Sequence, residues 1–590
     1  MVAHAGSAIV AKVAPAGLLY FAAIFALILL IVPPNGVLAD NEENYFGLAA
    51  QSLSPLTASP YSALFDSSRH RFANEFLLGY VIEGVGFEAA QMIARTVSAA
   101  LLAWALSLLL RLLAVPVLDA VAALLLFVAL NQTLAGGEWL FRDYEGKVAA
   151  YGFVLFGLYS VIAGKRTWWS ATAFVIATYF HFQVGGFWFA AAIVYQLMAG
   201  RERKPMLVGI VIYSAAILPV VAILVADRIR DVAPTVAGVP DPDEIYSMIR
   251  APHHVAPFVS WTGFMRQWLP GLGMAGLMLL GAIAIARCAF APTRRRVALW
   301  VALLLSWLFI ATVLSYLDRD TGALGKFYLF RPASLTLLLW LALGAAYVGE
   351  MAPLPRWLLR GILLAATVPG FVLASARGIP GDLAWRESND RANMPLYAAI
   401  QSQSRPSDVV LIDPRLEWAM FDFERRTGRA SLVMWKFDNT NDRDIVEWYR
   451  RLRFRDAIFD KGCGAATGWP VDDLIAAADR ADALAASCGS ILYRDPRAAL
   501  IRLDHRSGKR RSRGAIHVEP AGRDAARQRQ PDPIRHIQRL LADDHRAGRQ
   551  QRRQQGRDFA GDPRRPGDGE VQQGQGARPL HPVPGHRQRR

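Results

Sequence analysis

Apolar residues are grouped along the chain into blocks of about 16–22 residues, the length of helix that spans a hydrocarbon core. The predicted spans lie at residues 15–32, 96–113, 115–130, 148–163, 170–181, 184–199, 206–226, 268–287, 297–317, 333–348 and 357–375. Three of them are less regular, because Arg95 precedes the second, Asp119 interrupts the third, and the fifth is short. The pattern predicts an all-α polytopic membrane bundle of about eleven transmembrane helices.

Basic residues in the short loops predict the orientation of this bundle. The pairs or clusters at residues 165–166, 201–204, 294–296 and 356–360 all fall on one side of the predicted spans. Because positive loop charge is retained in the cytoplasm, the N-terminus is predicted inside and the C-terminal region outside a bacterial cytoplasmic (inner) membrane. A cleaved signal peptide is the alternative for the first block, although Pro33-Pro34 and the lack of a clear cleavage site favour a retained span.

The composition changes after the last span, which divides the chain into a bundle with outer loops (1–376), an extracytoplasmic domain (377–504) and a tail (505–590). Strands are predicted at residues 409–412, 431–435, 490–493 and 498–503, and helices at 443–453 and 471–487. Alternating strands and helices predict a small α/β domain. Its two cysteines, Cys463 and Cys488, are either a disulfide or two buried thiols, and the sequence leaves both open.

The tail at residues 505–590 has 21 Lys/Arg, 9 Asp/Glu and a single aromatic residue, Phe559, so it supplies +12 of the net charge of +16. Such a segment cannot bury a core, and it is predicted to be disordered. A frameshift is an alternative origin, because the preceding domain closes neatly at Asp504. The basic balance therefore belongs to the tail, and no nucleic-acid partner is expected.

Acidic residues follow the first predicted span directly, in the segment Asp-Asn-Glu-Glu-Asn-Tyr-Phe at residues 40–46. Carboxylates at a membrane surface are costly to desolvate unless they are paired or solvated. Asp40 and Glu43 are therefore the candidate catalytic residues, as a general base or as ligands of a divalent metal. The alternative is the acidic first turn of a helix, with Asp40 or Asn41 as its cap.

Histidine and basic residues lie in the other outer loops. The candidates for binding a substrate or a lipid phosphate are His181, Arg250, His253, His254, Lys326 and Arg331. The adjacent histidines lie between Pro252 and Pro257, so we expect an extended segment with the two rings on opposite sides. Helix capping is the alternative for His181, and snorkelling to lipid headgroups is the alternative for Lys326 and Arg331. The loop at residues 131–147 has balanced charges typical of an interfacial collar.

Several of these segments resemble a family of bacterial multi-pass membrane proteins of unknown function. The motifs are residues 40–46, Glu145-Gly-Lys147, His181-Phe-Gln-Val-Gly, residues 250–254, Phe327-Tyr-Leu-Phe-Arg331-Pro, and in the C-terminal domain residues 408–414, 426–429, Trp435-Lys436 and 445–450. The resemblance covers about residues 15–504. The layout is also similar to that of GT-C glycosyltransferases, which implies a polyprenyl-phosphate sugar donor and a carboxylate of the first outer loop as base or metal ligand.

The function that this resemblance implies is a GT-C-like transfer of a sugar from a polyprenyl-phosphate donor on the outer face of the membrane. Its partners would be membrane lipid and the lipid-linked sugar, and a divalent metal is left open as a cofactor. One alternative is a non-catalytic envelope assembly or binding protein. The other is a transporter or flippase, which is disfavoured because the chain has no convincing internal repeat and its charges gather at the outer ends of the spans.

Overall fold

The computed structural model describes the chain except residues 1–2, 65–70, 137, 201, 234, 237, 290, 378, 438–440, 464–468 and 505–590. The predicted disordered or frameshifted tail lies outside the described residues. Every described helix and strand belongs to one compact unit. The domain boundaries at residues 376 and 504 stay predictions.

Helices make up most of the described chain. They are α1 (Ala3–Ile31), α2 (Asp40–Gln51), α3 (Phe72–Leu112), α4 (Val117–Ala129), α5 (Gly146–Ile162), α6 (Thr167–Phe180), α7 (Phe182–Met198), α8 (Arg203–Arg230), α9 (Pro242–Glu244), α10 (Pro252–Val255), α11 (Trp261–Gly263), α12 (Leu269–Cys288), α13 (Pro292–Leu317), α14 (Pro332–Glu350), α15 (Pro353–Arg377), α16 (Ile379–Gln403), α17 (Phe423–Thr427), α18 (Asp442–Lys461) and α19 (Ala481–Cys488). The strands are β1 (Val409–Ile412), β2 (Ala430–Ser431), β3 (Asp473–Ala477), β4 (Gly489–Arg494) and β5 (Ala498–Leu503). Two π-helical segments, Ile245–Arg250 and Phe264–Trp268, lie in the long loop between α8 and α12.

Each apolar block of the sequence coincides with a helix of the structure. Among the described residues, five helical stretches are long and apolar enough to cross a membrane: Phe72–Leu112, Arg203–Arg230, Trp261–Cys288, Pro292–Leu317 and Pro332–Glu350. Shorter apolar helices are Gly17–Ile31, Val117–Ala129, Gly146–Ile162 and Phe182–Met198. The predicted fold class, a polytopic helical bundle followed by a small α/β domain, is confirmed.

The outer surface of the bundle is apolar where a membrane would surround it. Leu207, Val211 and Leu218 on α8 and Leu277 and Leu280 on α12 are all more than half exposed. Contiguous apolar faces of this kind are unstable in water, whereas lipid tails solvate them without cost. Inside the bundle the packing is dense; for example, the fully buried rings of Tyr195 and Trp300 stack with centroids 4.5 Å apart.

Both charged residues that disturb the predicted spans have partners. Asp119 on α4 accepts from Arg360 on α15, with 2.6 Å between the Arg360 Nη2 and the Asp119 Oδ2. Arg95 on α3 pairs with Glu42 on α2, at 2.7 Å from its Nε to Oε1. Pairing is how a charge is tolerated at such depth. These two positions therefore have a structural explanation, and they do not by themselves indicate a transport path.

The long helix α3 is two helices joined at Gly86. This glycine has φ 81° and ψ 170°, a conformation that side-chain-bearing residues rarely adopt. The second half contains the predicted span, and the first half runs back beside α2. The kink thus lets one continuous element both cross the membrane and support the first loop.

The C-terminal part of the chain forms a five-stranded sheet in the order β2-β1-β3-β5-β4. Strand β1 pairs in parallel with β2 and β3, while β5 is antiparallel to β3 and β4. All four residues of β1 are buried, as expected for a central parallel strand covered on both faces. We call this sheet, with α16 to α19, the sheet domain.

Two secondary-structure predictions for this domain were wrong in part. The predicted helix at residues 471–487 begins only at Ala481, because Asp473–Ala477 is a fully buried strand between β1 and β5. Strand pairing there overrides the helix propensity of its alanines. The predicted strand at 431–435 pairs with β1 only as far as Ser431. Beyond Ser431, backbone carbonyls accept hydrogen bonds from side chains instead of from a neighbouring strand. Arg451 donates to the Leu432 carbonyl (2.9 Å) and Trp448 to the Met434 carbonyl (2.9 Å).

Of the two readings of the cysteines, the structure has the disulfide, with Cys463 and Cys488 bonded. The bond closes a segment with a sequence separation of 25. A cross-link of this loop length restricts the unfolded chain and contributes about 3 kcal/mol. Such a bond persists in oxidising compartments, in agreement with a sheet domain outside the cytoplasm.

Replacing both of these cysteines by serine is expected to lower the stability of the sheet domain by about 3 kcal/mol. Thermal unfolding of the purified full chain in detergent, with and without reductant, measures this. Maleimide labelling supplies the control, since the exposed Cys288 should label in the unreduced wild type. Labelling of Cys463 or Cys488 before reduction would contradict the bond.

Candidate functional site

Helix α2 places the acidic segment at the junction between bundle and sheet domain. Its N-cap is Ala39, so Asp40, Glu42 and Glu43 occupy the first helical turn, where carboxylates interact favourably with the helix dipole. Asp40 and Asn41 are thus helical residues, not the cap expected from the sequence. The backbone N–H of Ala39 donates to Glu42 Oε2 at 2.8 Å, which fixes the start of the helix. The three carboxylates point to different partners.

Glu42 is fully buried and fully paired. Arg95 binds it with two hydrogen bonds (2.7 and 2.6 Å), and the backbone N–H of Tyr144 donates to it at 2.8 Å. Arg95 also donates to the Pro33 carbonyl at 2.6 Å. This pair therefore ties α2, α3 and the two loops around it into one rigid unit.

Glu43 docks the sheet domain. Arg425 on α17 forms a bidentate pair with it, with distances of 2.9 and 2.5 Å, and both side chains are about nine-tenths buried. Nearby, Glu424 accepts from the Ser62 hydroxyl (2.6 Å) and from the Ala63 backbone N–H (2.9 Å) of the first loop. The structure thus places Glu43 in an interface between bundle and sheet domain.

Asp422 lies beside this interface, where the Tyr397 hydroxyl donates to its Oδ1 at 2.6 Å. Burial, together with the charges of Glu43 and Asp390, raises the pKa of Asp422 to about 7. A carboxyl whose folded pKa lies above its unfolded value of about 3.9 binds more protons in the folded state. Its contribution to stability is therefore present at low pH and is lost as pH rises toward 7.

Asp422→Asn is expected to raise the melting temperature relative to the wild type at pH 8, by about 2–4 °C, and to raise it by less than half as much at pH 5, where the folded carboxyl is still mostly protonated. The asparagine still accepts from Tyr397 but carries no charge to bury. Thermal unfolding of both proteins at the two pH values measures the difference. An equal difference at pH 5 and pH 8 would show that Asp422 does not titrate in this range.

Asp40 differs from its two neighbours because its partner is a lysine and its side chain is 20% exposed. Lys436 of the sheet domain lies 3.2 Å away, measured from its Nζ to Asp40 Oδ2. Burial would raise the pKa of Asp40, but Lys436, Arg142 and Arg386 outweigh it and hold the pKa below its usual range. Asp40 is therefore an ionised carboxylate surrounded by cations.

The loop that carries Lys436 is held from the bundle side. Arg250 donates from Nη2 to the backbone carbonyls of Lys436 (2.6 Å) and Phe437 (3.3 Å). The Arg250 guanidinium also lies 5.7 Å from the ring of Trp448, which is itself bonded to the same loop at Met434. Arg250 thus positions Lys436 over Asp40.

The two adjacent histidines form one helical turn, so the expected extended conformation was wrong. Pro252 begins α10 and restricts only Ala251, while Pro257 restricts only Ala256; both of these have non-helical angles. His253 and His254 lie between them, and their ring centroids are only 4.0 Å apart. The rings are neighbours instead of pointing to opposite sides.

The histidines are neutral at pH 7. Loss of surrounding water, together with His254, Arg250 and Lys436, lowers the pKa of His253 to about 3. His253 is exposed, and we call the group of side chains around Lys436, namely Asp40, Arg142, Arg250, Arg386, His253 and His254, the recess. Burial lowers the pKa of His254 to about 4, and its Nδ1 lies 3.0 Å from the Gly136 carbonyl.

A second charge cluster adjoins His254. Glu138 lies between Lys147 (3.1 Å) and Arg331 (3.1 Å), and Arg331 also donates to Gln183 at 3.0 Å. Burial opposes the ionisation of Glu138, but Lys147, Arg331 and His254 lower its pKa to about 2. Glu145 also pairs with Lys147 at 3.0 Å, so Arg331 is buried in a charge-balanced network beside His254.

Two other expected site residues lie elsewhere. Lys326 pairs with Asp243 at 2.5 Å and with Asp442 at the start of α18, so it joins two loops to the sheet domain. His181 links α6 to α7, with its backbone N–H bonded to the Ala177 carbonyl at 2.8 Å, and it is 7% exposed. The structure thus gathers Asp40, Arg250, His253 and His254 around Lys436, and it places Glu43, Lys326 and His181 outside that group.

Sequence reasoning did not select Lys436, Arg142, Arg386 or Asp143. Asp143 lies 3.6 Å from Arg95 and 3.7 Å from Arg142, and burial and Glu42 raise its pKa to about 6. It shares Arg142 and Arg386 with Asp40 as electrostatic neighbours. Asp40 of the recess and Asp143 beside it thus have pKa values that are shifted in opposite directions, a pattern typical of acid–base sites. The one signal in the sequence for Lys436 was the Trp435-Lys436 motif.

The residues around Asp40 do not fit a divalent metal. Its neighbours are cations, whereas Mg²⁺ and Ca²⁺ need several oxygen ligands. Within the described ranges there is no group of three or more His, Cys, Asp or Glu side chains that could hold a metal ion. The recess instead has the charge pattern of an anion-binding site.

No protein-family model matches the chain, and no curated protein matches it. Among solved structures the chain is similar to the crystal structure of ArnT from Cupriavidus metallidurans in the apo state, a GT-C glycosyltransferase. The sequence identity is 13%, the match covers 84% of this chain and 98% of that one, and the TM-score is 0.36. At this identity and TM-score, the likeness carries no argument about donor, acceptor or reaction.

Proposed function

We propose that the protein is a GT-C-like glycosyltransferase that moves a sugar from a polyprenyl-phosphate donor on the outer face of the membrane. The observation that supports it is an ionised, partly exposed carboxylate, Asp40, set among Lys436, Arg142 and Arg386 shortly after the first membrane helix. Such a transfer requires a base for the acceptor hydroxyl and cations for the departing phosphate. The recess offers both within one set of side chains.

In this proposal Asp40 is the general base. It takes the proton of the acceptor hydroxyl while that oxygen bonds to the anomeric carbon of the sugar. The bond from this carbon to the phosphate oxygen breaks, and its electron pair leaves with the polyprenyl phosphate. Glu43 was the other candidate for this role, but its bidentate pair with Arg425 favours a docking role.

Arg142, Arg386 and His253 are the side chains proposed to meet the departing phosphate. Arg142 is 38% exposed and lies 4.2 Å from the ring of Trp139, so it is held in place yet open to a ligand. Arginine suits phosphate because its fork of donors binds two oxygens at once. His253 is neutral and can donate a hydrogen bond without adding charge. His181, Lys326 and Arg331 remain candidates for more distant contacts with the donor.

The proposed location is the bacterial inner membrane, with the sheet domain and the recess outside. The one-sided basic loops support this orientation. The disulfide supports it as well, because such bonds persist outside the cytoplasm. In this orientation the polyprenyl chain stays in the bilayer while its phosphate reaches the recess.

Profiling of lipid-linked sugars and surface glycans by mass spectrometry tests the function. A deletion strain would be complemented with the wild type, Asp40→Asn or Glu43→Gln, each checked for its amount in the membrane. We expect one glycan to disappear in the deletion strain while its lipid-linked donor accumulates. The wild type should restore it, and Asp40→Asn should lower the rate of transfer by at least about 100-fold, as loss of a general base does.

Glu43→Gln is the matched control, because it removes a neighbouring carboxylate of the same helical turn. It should retain transfer in proportion to the amount of folded protein. Unchanged glycans in the deletion strain would overturn the transferase and favour an assembly protein or a transporter. Full activity of Asp40→Asn would exclude Asp40 as the base.

A further inference from the structure

Lys436 is a side chain of the sheet domain that pairs directly with Asp40. Its side chain is 23% exposed, so a ligand can approach it. It contributes to the electrostatics of Asp40, His253 and His254 alike. Lys436 therefore acts on all three of these groups of the bundle, although it belongs, like Arg386, to the sheet domain.

The contacts around Lys436 fix its backbone but leave its ammonium group exchangeable. Arg250 holds the Lys436 carbonyl at 2.6 Å, and Trp448 holds Met434 of the same loop. The ammonium group, by contrast, meets Asp40 at 3.2 Å in a partly exposed pair. A partly exposed lysine–carboxylate pair is weak, and the free oxygens of a phosphate accept charge-assisted hydrogen bonds from an ammonium group as a carboxylate does.

We propose that Lys436 is a further phosphate-binding residue of the site, beside Arg142, Arg386 and His253, and that an incoming lipid phosphate takes Lys436 away from Asp40. This inference rests on the proposed function and adds a residue that binds the donor and the order of events. Lys436 and Asp40 form an ion pair with each other in the free protein. Phosphate binding breaks that pair, forms a phosphate–lysine pair and leaves Asp40 without its closest cation.

The exchange has a consequence for the order of the reaction. Asp40 loses its closest positive neighbour and gains a negative one, and both changes make a carboxylate a stronger base. Asp40 therefore becomes competent to accept a proton only after the donor is bound. The sheet domain, through Lys436 and the Arg250 contact that positions it, is part of the binding site and not only a lid.

The exchange can be tested by binding alone. Purified full-length protein in detergent would be titrated with farnesyl phosphate, a short polyprenyl phosphate, and the Kd measured by microscale thermophoresis. Lys436→Met should weaken binding by about tenfold, since it removes a charged partner of the phosphate. Asp40→Asn should tighten binding by about tenfold, since it removes the carboxylate that competes for Lys436.

Lys461→Met is the matched control, because it removes an exposed lysine of the same domain at the end of α18. Its affinity should equal that of the wild type. A purely structural role for Lys436 would make both site variants bind less well or equally well. The opposite directions of the two shifts therefore separate phosphate binding from domain docking.

Farnesol and inorganic phosphate distinguish the source of the phosphate. If the Kd values of the two variants shift in opposite directions with farnesyl phosphate alone, the result supports a lipid donor. If they do so with inorganic phosphate as well, the result supports a site that recognises the phosphate group itself. Unchanged or weaker binding by Asp40→Asn overturns the exchange.

The inference and the proposed function can fail separately. If the two variants shift the Kd in opposite directions but the deletion strain has unchanged glycans, the exchange of Lys436 is supported and the transferase is refuted. Normal transfer and normal binding by Lys436→Met would preserve the transferase and refute the exchange.

Discussion

Arg95→Met is expected to destabilise the protein by about 3–5 kcal/mol, because it leaves the fully buried Glu42 without its counter-charge. Methionine keeps the apolar stem of the arginine side chain, so the main change is the loss of the guanidinium charge and of its hydrogen bonds. The same substitution also removes the bond to the Pro33 carbonyl that holds the start of the first loop. Unfolding of the full chain by titration with SDS, followed by circular dichroism, measures the loss.

The double variant Arg95→Met, Glu42→Gln is the informative comparison. Replacing both members of a buried pair removes the unpaired charge, so the double variant should be more stable than Arg95→Met alone. Arg391→Ala is the surface control, since its pair with Glu387 is mostly exposed and should change stability by less than about 1 kcal/mol. A double variant that is no more stable than Arg95→Met would argue against the pair as the source of the effect.

The second large effect is expected at the interface between α2 and α17. Arg425→Met leaves Glu43 about nine-tenths buried and unpaired, and we expect a cost of about 3–5 kcal/mol. Because this pair joins the sheet domain to the bundle, the loss should appear as separation of the sheet domain before the bundle unfolds. Hydrogen–deuterium exchange of α17 and of the α2 backbone measures this local opening.

A double-mutant cycle with Glu43→Gln completes this prediction. The cost of the double variant should be smaller than the sum of the two single costs, since the residues are in direct contact. Additive costs would mean that Glu43 and Arg425 act independently and that the bidentate pair does not form. Exchange in the bundle helix α13 serves as the internal reference, because it lies outside the interface and should not change.

The fold class could be predicted from the sequence because each membrane span is a continuous block of apolar residues. A block of apolar residues of sufficient length has few alternatives to a helix that crosses the bilayer, and each predicted block is helical in the structure. The secondary structure of the sheet domain was harder to predict from the sequence. Whether Asp473–Ala477 forms a strand or a helix depends on β1 and β5, which lie far away in the sequence and supply the pairing.

Only part of the candidate site could be predicted from the sequence, because the remaining contacts join residues that lie far apart along the chain. The sequence places Asp40 at the membrane surface, but it does not reveal which of the neighbouring carboxylates is already paired. Arg95 and Arg425, which occupy Glu42 and Glu43, are recognised only in three dimensions. The conformation of His253 and His254 was missed because each proline acts on the residue before it and leaves the turn between them free.

The pairing of α2 with the sheet domain also determines when each ion pair can form during translation. Glu43 and Arg425 are 382 residues apart, so at about 5–20 residues per second the ribosome needs about 20–80 s to supply the second after the first. Arg95, in contrast, is only 53 residues from Glu42. The first loop can therefore close around Glu42 early, while Glu43 and Asp40 lack their partners until the sheet domain has been synthesised. A half-made protein thus holds Asp40 without Lys436, and the proposed site is complete only after the sheet domain has been translated.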